Sequence, residues 1–170
     1  VETVEYLVAL GHRRIARVGG LPSLLHTEIR TEAFTGVCRR LGLEEAQTVW
    51  SDYTGEEGAR ATRRLLSSAA RPTAVIYDND VMAIAGLSVA QEMGLAVPGD
   101  LSIVAWDDSP LCRLVHPPLT ALGRDIPAYG AHAARQLLAV IAGEPAAVVQ
   151  DETAHLTPRG STAPPRTTER

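Results

Sequence analysis

The stretch TAVIYDNDVMAIAGLSVAQEMGLAVPGDLSIVAWDD, residues 73–108, decides the fold. An apolar run at 74–77 ends abruptly in Asp78, a helical pattern continues through Met93, and Gly94 closes it. A second apolar run, 101–106, again ends in acids. Strand, helix and strand in this order predict a βαβ unit whose two strands are parallel.

Polar side chains collect where these two strands end. Because parallel neighbours present their carboxyl ends at the same edge of a sheet, one rim should hold Asp78, Asn79, Asp80, Asp107 and Asp108. Open α/β sheets bind ligands at that rim. Carboxylates accept hydrogen bonds and an amide both donates and accepts them, so the rim suits a neutral, hydroxyl-rich small molecule.

The same alternation of helices and strands runs from residue 1 to residue 106. After it, the pattern predicts a strand at 119–123, a helix from 127 to 142 and a polar tail at 158–170 that is partly disordered. The fold class is therefore α/β, with a parallel sheet flanked by helices.

Composition argues against several classes of protein. A net charge of −4 on 170 residues argues against a dedicated nucleic-acid surface. No apolar run approaches the roughly 18 residues of a membrane span, and the chain opens in an amphipathic helix rather than a signal peptide. We therefore expect a cytoplasmic protein with no membrane partner. Cys38 and Cys112 are interpreted as reduced thiols, and the histidines show no spacing typical of a metal site.

An enzyme is not expected, and neither is a cofactor. Asp78 and Asp80 could form a metal-binding D-x-D pair for group transfer. The sequence contains no Lys and no phosphate-cradling glycine motif, however, so the partners of such a pair are missing. No G-x-S-x-G elbow of a hydrolase is present either.

Several sequence blocks, in order, resemble the lactose/galactose repressor (LacI/GalR) family of bacterial transcription regulators. Residues 8–16, VALGHRRIA, look like its LxxLGHRRIA block, and residues 72–83 resemble PTAxxxxNDxMA. Further similarities are GxxVP at 94–98, xSVVGxDD at 101–108, PPLTT at 117–121 and RxSTxPP at 159–165. The sequence departs from these blocks at Ala105 and Ala121, for example.

The resemblance implies a two-lobed effector-binding core of the type-I periplasmic-binding-protein fold. Residues 1–123 would form its C-terminal lobe, 124–147 a return segment belonging to the mostly missing first lobe, and 148–170 the final crossover strand and polar tail. A helix-turn-helix headpiece, absent from this chain, would bind operator DNA. The effector would be a sugar or polyol. The alternative is a periplasmic-type sugar-binding protein of an ABC transporter, which has the same fold.

The resemblance also implies which residues bind the effector. Arg30 would grip it, Tyr53 would stack against it, and Asn79 and Asp107 would take its hydroxyls. Further candidates are Arg124, at a polar crossover, and His26, in a variable loop.

Other interpretations of these residues stay open. Arg30 could pair on the surface with Glu28 or Glu32, and Tyr53 could be a lid over the core. Asn79 and Asp107 could be helix caps. Asp80 is interpreted as the cap of the following helix, and Asp108 as a structural loop acid.

A homodimer is the expected assembly. In the family, the helix after the Asn-Asp block and the segment after the Asp-Asp pair meet their symmetry mates. The apolar residues expected at this interface are Met82, Leu87, Leu111 and Leu114.

Overall fold

A six-stranded sheet forms the middle layer of the computed structural model, which describes residues 1–43, 45–145 and 153–166. The strand order is β2-β1-β3-β4-β5-β6. The first five strands in the chain are parallel, and β6 pairs antiparallel with β5. In chain order the strands are β1 Ile15–Gly19, β2 Gln47–Trp50, β3 Ala74–Tyr77, β4 Ser102–Trp106, β5 Thr120–Gly123 and β6 His155–Thr157. The predicted fold class is confirmed.

Helices cover both faces of this sheet. They are α1 Glu2–Ala9, α2 Leu25–Arg40, α3 Gly55–Leu66, α4 Asp80–Glu92, α5 Pro110–Leu114 and α6 Ile126–Ile141. The sequence did not predict α5, because its single turn is too short to show a period. Helix α2 begins at Leu25, inside the stretch 21–26 that the sequence pattern predicts to be a loop. The pattern missed this start because Leu24, the N-cap residue, makes no side-chain capping hydrogen bond.

The strands are apolar along their length because both of their faces are buried. In β1, Ile15 packs in the core shared with α1 and α2, and Ala16 packs in the core shared with α3 and α4. Neighbouring residues of a strand point to opposite faces, so a sheet between two helical layers needs a near-continuous apolar run. This explains why the central strands were the clearest signal in the sequence.

Strand order and register bring particular chain ends together. Val18 of β1 pairs with Tyr77 of β3, and Tyr77 pairs with Ala105 of β4. The chain leaves β1 toward β2 on one side and returns to β3 on the other, so the winding reverses between β1 and β3. Ligands of open α/β sheets bind outside the carboxyl ends of the strands at such a reversal.

The described part of the tail is packed against the sheet. Ser161 is fully buried, donates from Oγ to the Ile103 carbonyl at 2.6 Å and accepts from the Thr120 amide at 2.8 Å. The expectation of partial disorder is therefore wrong for residues 158–166, because these hydrogen bonds hold them to β4 and β5. Residues 148–152 and 167–170 of the predicted final segment lie outside the described residues.

Helix α6 differs from the others because none of its residues is buried. It exposes a set of large side chains: Ile126, Tyr129, Leu137, Leu138, Val140 and Ile141. The assignment of 124–147 to a second lobe stays a prediction, and residues 146 and 147 lie outside the described part of the chain.

A close contact between α3 and α4 should make Gly58 sensitive to substitution. A Cβ built at Gly58 would lie 2.8 Å from the Met82 Cβ and 2.9 Å from its Cα. Gly58→Ala should therefore lower the free energy of unfolding by about 1–3 kcal/mol through overpacking. Gly36→Ala in α2 is the matched control, because nothing lies within 4 Å of its added Cβ. In Gly36→Ala the free energy of unfolding should rise by about 0.5–1 kcal/mol, because alanine favours the helix more than glycine does. Urea unfolding measures both, and equal effects would contradict the predicted contact.

Protonation of a buried histidine should make stability depend on pH. His12 is 1% exposed, and its ring nitrogens lie 2.9 Å from Thr73 Oγ1 and 2.9 Å from the Ala163 carbonyl oxygen. Desolvation lowers the pKa of His12 below 6.5, and the bond to Ala163 opposes this shift. The unfolded chain therefore takes up the proton first as the pH falls. The stability that the neutral ring contributes is intact above about pH 6.5 and is lost as the pH falls below it.

We expect the free energy of unfolding to fall between pH 7 and pH 5.5 by up to about 1.4 kcal/mol per pH unit. His12→Gln keeps a donor for Ala163 but does not titrate, so it should flatten this dependence. Urea unfolding across this pH range tests the prediction. An unchanged pH slope in the variant would remove His12 as its source.

Candidate ligand-binding site at the carboxyl edge

A buried ion pair forms the floor of the site. Arg17 donates from Nε to Asp78 Oδ1 at 2.8 Å and from Nη2 to Oδ2 at 2.6 Å, and each side chain is 3% exposed or less. The Gly20 amide donates to the same Oδ2 at 3.2 Å. The Asp78 carboxylate is therefore occupied within the protein, and it is not the ligand acceptor that the rim pattern predicted. Sequence reasoning missed Arg17, although an arginine inside an apolar strand was a usable signal.

Arg30 extends from α2 across this floor. Its Nη1 donates to the Asp78 carbonyl at 3.0 Å, and its guanidinium carbon lies 3.9 Å from the ring centroid of Trp106. Such stacking is a cation–π contact worth roughly 0.5–2 kcal/mol. Among the described residues Arg30 pairs with neither Glu28 nor Glu32, so the surface-pair interpretation is not what the structure shows.

Tyr53 forms a wall of the rim. Its hydroxyl lies 2.8 Å from His26 Nε2 and 2.7 Å from Thr27 Oγ1. A Cβ at Gly20 would overlap the Tyr53 ring, so the absence of a side chain there lets the ring approach the backbone closely. Tyr53 has φ of 72°, a conformation that is uncommon outside glycine. The structure thus joins two predicted residues, Tyr53 and His26, through a hydrogen bond.

Asn79 is the N-cap of α4, the alternative that the sequence left open. Its Oδ1 accepts from the Met82 amide at 2.8 Å, and its Nδ2 donates to the Tyr53 carbonyl at 2.9 Å. Each group keeps capacity for one further hydrogen bond to a ligand. Asp80, which was predicted to be the cap, is instead the first helical residue and accepts from the Val81 amide.

Asp107 offers an unoccupied carboxylate beside two arginines. Its backbone has φ of 69°, and no hydrogen bond to its carboxylate occurs among the described residues. Desolvation raises the pKa of Asp107. The positive charges of Arg30 and Arg124 act to lower this pKa, and the negative charge of Asp80 acts to raise it. Arg30 and Arg124 both lie near enough to Asp107 to act on its charge. Arg124 also lies over the Tyr129 ring, 5.3 Å from its centroid.

The neighbouring acid, Asp108, has a structural role, as predicted. Arg159 Nη1 and Nη2 donate to its two carboxylate oxygens at 2.8 and 2.6 Å. The pair links the segment after β4 to the chain after β6.

A cavity of about 170 Å³ lies beside Arg30, on the side of α1 and α2. Ile29, Phe34, Ile76 and Trp106 contribute its apolar lining, and Arg17, Arg30 and Asp78 its polar part. It does not include Tyr53, Asn79 or Asp107. We therefore place the candidate site at the open rim, where the unoccupied polar groups are.

Two of the residues predicted for a dimer interface are in the core. Met82 is fully buried and Leu87 is 3% exposed, so neither can contact a partner. Leu111 and Leu114 are exposed by 50% and 78%. The sequence indicated the wrong side of α4, because this helix is apolar almost all round and α3 covers one of its faces. Its more exposed side carries Val81, Ile84, Ala85 and Ser88.

The described residues contain no group of His, Cys, Asp and Glu side chains that could hold a metal ion. They also contain no helix with the length and apolar character needed to cross a membrane. Both cysteines are free and buried.

A wound parallel sheet with unoccupied polar groups at its carboxyl edge is typical of α/β ligand-binding domains. A sequence profile described as "Periplasmic binding protein-like domain" matches residues 4–162. The chain belongs to this family, and its relatives are LacI-family transcriptional regulators.

Three of these relatives show how far the similarity extends. The "HTH-type transcriptional regulator reg1" of Streptomyces lividans is 37% identical over 150 aligned residues, and the alignment covers 84% of this chain and 43% of that protein. A LacI family transcriptional regulator from Bifidobacterium animalis subsp. lactis has a similar structure, with a TM-score of 0.93 and 47% identity over 96% of this chain and 60% of that one. The Lac repressor dimer bound to operator and the anti-inducer ONPF has a TM-score of 0.87 and 29% identity over 95% of this chain and 49% of that one. The chain spans less than half the length of the curated relative.

Proposed function

We propose that this chain is the ligand-sensing and dimerising portion of a DNA-binding transcriptional regulator of the LacI type. Its effector is a neutral, hydroxyl-rich small molecule, a sugar or polyol. The observation that carries the proposal is the unoccupied Asp107 carboxylate beside Arg30 at the rim. Asp107 accepts from effector hydroxyls, and the N–H groups of Arg30 not used by Asp78 donate to effector oxygens.

The remaining rim residues shape the site around these two. The Oδ1 and Nδ2 atoms of Asn79 can each make one further hydrogen bond, to the effector. Tyr53 offers an aromatic surface, and the hydrogen bond to His26 holds its ring in place. Arg124 adds a donor at the crossover. A polar group that is buried without a hydrogen-bond partner is costly. A sugar whose hydroxyls do not match these rim residues would leave some of them unpaired, so the residues discriminate between the hydroxyl patterns of different sugars.

Regulation follows if the effector also contacts a second lobe contributed by the longer protein. An effector that binds better to the closed arrangement of two lobes shifts the population toward it. Operator DNA would be bound by a helix-turn-helix segment outside this chain, and its affinity would change through the coupling between the two sites. A regulator of this kind acts in the cytoplasm.

The dimer contact proposed here uses the exposed side of α4 together with α5. Val81 and Ser88 lie on that side of α4, and Leu111 and Leu114 lie on the neighbouring α5. A two-fold interface is self-complementary, so the same strip would meet its own copy.

Removal of Arg30 should weaken effector binding in the full-length protein. A thermal-shift screen against sugars, polyols and nucleosides identifies a ligand, because binding to the native state raises the unfolding midpoint. Arg30→Ala should then lower the affinity for that ligand roughly tenfold to a hundredfold, since a hydrogen bond to a charged group contributes about 1.5–3 kcal/mol. Arg39→Ala is the control, an exposed arginine of the same helix. Calorimetric titration measures both affinities.

Equal effector affinities in Arg30→Ala and the parent protein would remove Arg30 from the site. Operator affinity without effector should be unchanged in both arginine variants. A screen in which no sugar, polyol or nucleoside raises the unfolding midpoint would contradict the proposed effector class.

A charge on α5 should dissociate the dimer. Leu114→Glu places two carboxylates in a two-fold contact, so one substitution acts twice. We expect light scattering of the full-length variant to show a monomer at concentrations where the parent is a dimer. Leu25→Glu, in the opposite helical layer and 71% exposed, is the matched control and should remain dimeric. If Leu114→Glu also remains a dimer, the contact lies elsewhere.

A further inference from the structure

The position of Arg30 raises a question of charge balance. Its Nη1 lies 4.0 Å from Asp78 Oδ2, yet its hydrogen bond goes to the backbone carbonyl of Asp78. A cation this close to a buried carboxylate would ordinarily form a direct ion pair. The carboxylate is not open to it, because Arg17 occupies both oxygens and the Gly20 amide adds a third hydrogen bond.

We propose that Arg17 is a positioning residue for effector binding. By satisfying Asp78, it prevents Arg30 from turning onto that carboxylate and keeps the Arg30 guanidinium stacked on Trp106 at the rim. Its consequence for the effector rests on the function proposed above, whereas the position of Arg30 can be measured without any effector.

The surroundings of Arg17 fit this role. Its side chain is 3% exposed, and Nη1 donates to Thr31 Oγ1 at 2.9 Å. Thr31 is the chain neighbour of Arg30, and its own hydroxyl donates to the Thr27 carbonyl at 2.6 Å. Arg17 therefore holds both the competing carboxylate and the turn of α2 that carries Arg30.

Loss of Arg17 would leave Asp78 as a buried, unpaired charge. Such a charge is costly, and the nearest described cation able to neutralise it is Arg30. We expect Arg17→Met to draw Arg30 toward Asp78 and to uncover the Trp106 ring. In Arg17→Met/Asp78→Asn the attracting carboxylate is gone as well, so Arg30 should return to the ring.

Trp106 fluorescence tests this in the full-length protein. Trp50 and any tryptophan outside this chain are replaced by Phe, and acrylamide, a neutral quencher, measures how far Trp106 is covered. Arg17→Met should raise the quenching constant to the value of Arg30→Ala, in which the covering side chain is missing. The double variant should restore the parent value.

If Arg17 served only to stabilise the fold, Arg17→Met would unfold at a lower temperature but show the quenching constant of the parent. That result would overturn the proposal. A double variant whose quenching constant is as high as that of Arg17→Met would overturn it as well. Should Arg17→Met not fold, Arg17→Gln keeps a hydrogen bond to Asp78 without the charge. It should raise the quenching constant, and a parent value would overturn the proposal.

The effector found by the thermal-shift screen supplies the final comparison. Arg17→Met should lower the affinity for this effector by the same factor as Arg30→Ala, roughly tenfold to hundredfold, and the double variant should recover the affinity of the parent. Quenching that follows the expected pattern while Arg30→Ala leaves effector affinity unchanged would contradict the proposed site, not the positioning by Arg17. Parent-like quenching in Arg17→Met, with affinity lost in Arg30→Ala, would contradict the positioning alone.

Discussion

The buried carboxylate of Asp78 is the constraint on which the rim depends. A charge with 2% of its side chain exposed must be paired, and Arg17 pairs it at the point where the winding of the sheet reverses. The Gly20 amide binds the same oxygen, which ties the start of the loop after β1 to the end of β3. Through Thr31 and Arg30, the pair also orients the first half of α2. One ion pair thus fixes three chain segments around the candidate site.

Much of the fold could be predicted from the sequence because its central strands are buried on both faces. Apolar runs such as 74–77 and 101–106 are distinct from helical periods, and the acids after them mark the carboxyl edge. Two features could not be predicted. Helix α5 is a single turn without a period, and the tail is held by Ser161, whose partners lie about 40 and 60 residues away in sequence. Hydrogen bonds between distant residues leave no local pattern.

The sequence could predict which polar residues lie at the rim, but not the hydrogen bonds among them, and their role in binding stays a prediction. Tyr53, Asn79 and Asp107 follow β2, β3 and β4, and Arg30 lies in the second turn of α2, so all four are at the carboxyl edge of the sheet. Which of them are already occupied depends on side-chain geometry. The sequence could not show that Arg17 saturates Asp78, or that Asn79 and not Asp80 caps α4. It also could not show which face of the apolar helix α4 is covered by α3.

The contact between Gly20 and Tyr53 has a consequence for how this site can change over generations. Any side chain at position 20 would occupy the space of the Tyr53 ring, so the two positions are not free to vary independently. A lineage that acquires a new effector by altering position 20 must first lose or turn the ring at position 53. The order of substitutions is therefore restricted, because a side chain at position 20 that is tolerated with one residue at position 53 is harmful with another. Effector specificity on this side of the rim would evolve in paired steps.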